Sequence, residues 1–89
     1  MRENKIVVKW RAGLHARPAV EVVKIANKFK SKVTIRKDDM EVDGKSIFEI
    51  MMLGAGYKTS LSLIIDGIDE DEATAAMVGL FEENPDEKE

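Results

Sequence analysis

Cysteine is absent from the chain, which excludes a disulfide framework, a thiolate nucleophile and a cysteine-held zinc site. Histidine occurs once, so a histidine-built metal cluster is excluded as well, and only carboxylate sites stay open. One Trp, one Tyr and three Phe are the whole aromatic complement. None of them alternates with basic residues along a strand pattern, which argues against a nucleic-acid-binding module. Long apolar runs are also missing. Met1-Arg2-Glu3-Asn4-Lys5 passes directly into Ile6-Val7-Val8, with no signal-peptide core and no stretch fit to span a bilayer. A soluble cytoplasmic protein, without membrane insertion, is the expectation.

What is present is a small but sufficient core. Hydrophobic residues make up 44% of 89 residues, so the chain is expected to form one domain over residues 1–89 rather than to stay disordered. The net charge of -3 hides a division. Residues 1–37 hold eleven Lys/Arg against two Asp/Glu, a balance of +9. Residues 38–89 hold three against fifteen, a balance of -12. Such polarity suits one basic face offered to an acidic partner.

The hydrophobic periods order the chain. Lys5–Trp10 is rich in β-branched residues and predicts a first strand. Pro18 fits the first turn of a helix, and Ala19, Val22, Val23, Ala26 and Phe29 share one side of it over about three turns. Val33–Arg36 and Met40–Val42 predict a hairpin about Asp38-Asp39. Ser46 and Glu49 have capping-box spacing for a short helix ending near Leu53, before Gly54-Ala55-Gly56. Ser60–Asp66 predicts a fourth strand. Asp69-Glu70-Asp71-Glu72 then suits the positive end of a last helix, with Ala73, Ala76, Met77, Leu80 and Phe81 as its buried stripe. Residues 83–89 are expected to form a flexible acidic tail. The order βαββαβα predicts an α+β, two-layer sandwich with an antiparallel sheet open on one face.

Chemistry concentrates in Gly13-Leu14-His15-Ala16-Arg17-Pro18-Ala19. A lone histidine near a loop is ordinarily a surface residue, but this one precedes a helix start, where backbone N–H groups and the dipole favour an anion. Arg17 supplies a planar fork of donors suited to phosphate oxygens. An ordinary imidazole is largely neutral near neutral pH, leaving a ring lone pair for attack. These parts place a nucleophile beside a phosphate cradle, with no second histidine and no evident carboxylate nearby to make a hydrolase. A histidine that accepts a phosphoryl group and passes it on is the simplest fit.

The block Gly13–Ala19 resembles the active-centre signature of the HPr family, the histidine-containing phosphocarriers of the bacterial sugar phosphotransferase system. Gly44-Lys45-Ser46-Ile47-Phe48-Glu49-Ile50-Met51-Met52-Leu53-Gly54 is similar to the family's regulatory-serine region, at matching spacing. The resemblance runs over nearly the whole chain. It implies an open-faced β-sandwich, a four-stranded sheet of order 1-4-2-3 with three helices on one face. It implies that His15 takes phosphate on its δ1 nitrogen from phosphorylated enzyme I and passes it to sugar-specific enzyme IIA proteins or domains. Arg17 would balance charge, and the N–H groups of Ala16 and Arg17 would orient the phosphoryl group. No cofactor is expected, and the chain would be a stoichiometric, monomeric carrier rather than an enzyme. Val20, Ile47, Phe48 and Met51 are the expected apolar centre of partner contact, with Lys24, Lys28 and Lys45 at its rim.

Ser46 is read as a helix N-cap and, by the same resemblance, as a regulatory phosphorylation site for a serine kinase/phosphorylase. Phe48-Glu49 stands where the kinase-regulated members commonly read Met-Gly, which counts against that regulation here. Ala12 lacks the hydrogen-bonding side chain that the family commonly carries there. Lys58 occupies a turn position that is glycine in many members. A regulator of the nitrogen-type phosphotransferase branch fits the same motifs.

Overall fold

Each expected period finds its element. The computed structural model describes residues 1–82, so the expected tail over 83–89 lies outside them. The order is β1 (Arg2–Val7), α1 (Ala16–Ala26), β2 (Lys32–Lys37), β3 (Met40–Asp43), α2 (Ile47–Met52), β4 (Ser60–Asp66) and α3 (Glu70–Glu82). The strands form one sheet of order β1-β4-β2-β3 with antiparallel neighbours throughout.

Side chains alternate across the pleat, and the alternation sorts the two faces. Ile6, Val33, Ile35, Val42, Leu61, Leu63 and Ile65 are buried with Ala19, Val22, Ala26, Ile50, Met77 and Phe81 in one core beneath the helices. The other face stays open and carries a charge ladder, in which Arg36 reaches Glu3 at 2.9 Å and Glu41 at 3.5 Å.

Two expectations shift. The first strand begins at Arg2 and ends at Val7, not at Trp10. Its register with β4 runs from Arg2 opposite Ile65 to Val7 opposite Ser60. After Val8, which still bonds Thr59 and Lys58, the partner chain turns away at the positive φ of Lys58. Beyond it Trp10 is fully buried and packs its ring 5.3 Å from that of Phe81. Along α3, Thr74 is buried and Ala76 only half-buried. Both flank the apolar stripe almost equally on a helical wheel, and the seat of Phe81 on Trp10 rolls the helix towards Thr74.

Asp69 fastens α3 to the loop before β2. Its carbonyl accepts the Ala73 N–H at 2.9 Å. Its carboxylate accepts the N–H groups of Lys30 (2.8 Å) and Ser31 (2.9 Å) and the Ser31 hydroxyl. The Ser31 hydroxyl first, then the Lys30 amide, hold its carboxyl below the ordinary value of 3.8. A depressed folded pKa contributes stability that is fully present above the unfolded value and is lost as pH falls through the folded one. Asp69→Ala is therefore expected to lower the denaturant midpoint at about pH 7, with the gap to wild type narrowing towards about pH 3. Fluorescence of the single, buried Trp10 measures it; an equal gap at both pH values would show that the charge is irrelevant.

Candidate functional site

A sharp turn delivers the histidine. Gly13 adopts φ +82°, its N–H bonds the Trp10 carbonyl at 2.8 Å, and its own carbonyl accepts the His15 N–H at 2.9 Å. His15 has extended backbone angles and is the N-cap of α1. Among the described residues its side chain makes no capping hydrogen bond, and the ring is half-buried. The ladder of α1 begins at Ala19, whose N–H reaches the His15 carbonyl at 2.8 Å. The N–H groups of Ala16 and Arg17 lie ahead of it, at the positive end of the helix dipole, and Pro18 brings no donor. The Ala16 and Arg17 side chains are exposed.

Two hydrogen bonds orient α2 against α1. The Leu14 N–H donates to the Ala55 carbonyl at 2.8 Å, just past the end of α2. At the far end Lys45 Nζ donates to the Phe29 carbonyl at 2.8 Å, just before α2 begins. The helices therefore run antiparallel, with the histidine turn held by the C-terminal end of α2. Lys45, expected at a partner rim, is partly buried and holds its ammonium on the Phe29 carbonyl.

The apolar candidates lie mostly in the open. Val20 is 40% exposed, Met51 47% and Phe48 81%, whereas Ile47 is partly buried and packs on the core. Lys24 is exposed, 3.9 Å from Glu21, and Lys28 is exposed. Sequence reading passed over Met52 and Tyr57, at 67% and 50% exposure. Met52 follows Met51 in a helix too short to show a clear period, so no pattern marked its face.

Ser46 caps α2 by accepting the Glu49 N–H at 3.3 Å. Only this half of the expected capping box forms. The Glu49 carboxylate accepts the Asp43 N–H at 3.0 Å, and the Ser46 N–H donates to the Asp43 carbonyl at 3.1 Å. A carboxylate bonded at the end of β3 thus stands beside the serine.

A family profile described as the PTS HPr component phosphorylation site matches residues 2–83. The chain belongs to the HPr family. It is 42% identical over 82 residues to an HPr-like protein Crh from Halalkalibacterium halodurans, covering 92% of this chain and 98% of that one. It is 40% identical over 78 residues to the phosphocarrier protein HPr of Treponema pallidum, covering 88% and 89%. A crystal structure of HPr from Thermoanaerobacter tengcongensis superposes with a TM-score of 0.89 at 44% identity, over 92% of each chain. The HPr family is a phosphocarrier family of the phosphotransferase system. No helix among the described residues is long and apolar enough to cross a membrane.

Proposed function

We propose that this chain is a phosphoryl carrier in the cytoplasm, taking a phosphoryl group on His15 from phospho-enzyme I and passing it to sugar-specific enzyme IIA proteins or domains. The observation that carries the reading is a histidine at the N-cap of α1, ahead of the helix's own hydrogen-bond ladder, in a chain of this family. A ring nitrogen of His15 forms a bond to phosphorus as the donor's bond to it breaks, and the reverse exchange loads the acceptor. The Ala16 and Arg17 N–H groups orient the phosphoryl oxygens, and the Arg17 guanidinium offsets their charge. The carrier acts as a monomer and meets donor and acceptor in turn with the same face. Val20, Phe48 and Met51, with Ile47 beneath and Lys24 at the rim, supply a small contact area suited to quick release. Ser46 serves α2 as its cap, and phosphate there would meet the nearby Glu49 carboxylate.

Incubation with phosphoenolpyruvate and enzyme I tests the reading. One acid-labile, base-stable phosphate per chain is the expected product, and no incorporation would refute it. Arg17→Ala should slow transfer by about tenfold or more while leaving the circular dichroism spectrum unchanged; a melted spectrum would refute a role confined to charge balance.

A further inference from the structure

Lys37 is the last residue of β2 and shares a sheet face with Val33 and Ile35, both buried in the core. Lys37 is itself only partly buried, so its stem lies along the edge of the core while its ammonium can reach a partner at the rim. The partner is the end of α2. Lys37 Nζ lies 3.1 Å from the Leu53 carbonyl and 3.4 Å from the Gly54 carbonyl. The last carbonyls of a helix lack intrahelical donors, and the last turn of α2 holds no basic residue of its own. The next residue, Ala55, is buried, and its carbonyl holds the Leu14 N–H one position before His15.

We propose that Lys37 is a positioning residue for His15. It clamps Leu53 and Gly54 from the sheet, fixes the Ala55 carbonyl, and through the Leu14 N–H sets where the histidine turn and the first amides of α1 stand. Nothing in the spacing of the two sequence blocks marks it, because it belongs to neither. The inference rests on the carrier reading above.

Two measurements on Lys37→Met test it. Amide hydrogen exchange by NMR should accelerate at Leu14 by about tenfold or more relative to Leu63 and Ile65 in β4. Phosphoryl transfer from enzyme I should fall about fivefold in kcat with KM unchanged, because the α1/α2 contact surface is untouched. Lys37→Arg, which keeps a cationic donor, should restore both. If Lys37→Met does not fold, Lys37→Gln keeps a neutral donor for the same two readings. Equal acceleration at Leu14 and in β4 would overturn the proposal, since Lys37 would then add only general stability. So would unchanged transfer in a variant whose wild type is phosphorylated. A wild-type protein that accepts no phosphoryl group would overturn the carrier reading, and the role of Lys37 with it.

Discussion

His15→Ala is expected to carry no phosphate after incubation with phosphoenolpyruvate and enzyme I, at concentrations that label the wild type fully. The chain has one histidine and no cysteine, so no second side chain in the turn offers a nitrogen or sulfur nucleophile. No hydroxyl flanks it in sequence either, where Gly13, Leu14, Ala16, Arg17, Pro18 and Ala19 stand. The loss should be chemical and not structural. The His15 backbone, which turns the chain and accepts the Ala19 N–H, survives the substitution, and the half-buried ring takes no part in capping. Stability should therefore stay within about 1 kcal/mol of wild type, read from the Trp10 fluorescence transition. Labelling of the variant at the wild-type rate would place the acceptor elsewhere.

Gly13→Ala is expected to damage both stability and transfer. The backbone there sits at φ +82°, a region that costs an L-residue with a side chain roughly 1–2 kcal/mol. An added Cβ would also lie 2.7 Å from the Ala55 carbonyl oxygen and 3.1 Å from Gly56 Cα. Both obstacles are backbone, so no rotamer change relieves them. The two loops must separate, and the bond that suffers is Leu14 N–H to Ala55. A loss of about 2–4 kcal/mol follows, a fall in Tm of roughly 10 °C or more for a domain of this size. Displacing the histidine by about 1 Å would slow transfer on the order of 100-fold.

Gly54→Ala separates the two causes. Gly54 also has positive φ, at +60°, but an added Cβ there meets nothing within 4 Å. Its cost should stay at the backbone penalty of roughly 1–2 kcal/mol. Equal losses at Gly13 and Gly54 would show that backbone angle alone matters and that the contact with Ala55 does not.

The element order was legible because each segment carries its own period. Ala19, Val22 and Ala26 repeat as a helix face, and Leu61, Leu63 and Ile65 alternate as one face of a strand. Such local patterns report which side of an element meets the core. The candidate site was marked for a similar reason, since His15, Arg17 and Pro18 stand together at a helix start and the roles proposed for His15 and Arg17 need no distant partner. The exposure of Val20 and Met51 was not legible in their period, because an apolar side chain on a helix reads the same whether covered or open, and only the family resemblance pointed to it. Where the first strand ends was not legible either, because a ladder stops where its partner stops.

By itself the sequence determined the βαββαβα order, the cap at Ser46 and the histidine beside a helix N-terminus, all properties of residues within a few positions of one another. Tertiary structure alone decided what holds that histidine in place. The Ala55 carbonyl lies about forty residues from Leu14 by sequence, and Lys37 reaches Leu53 from another layer. Backbone carbonyls carry no residue-specific signal, and packing brings them together only once the sheet order and helix directions are set.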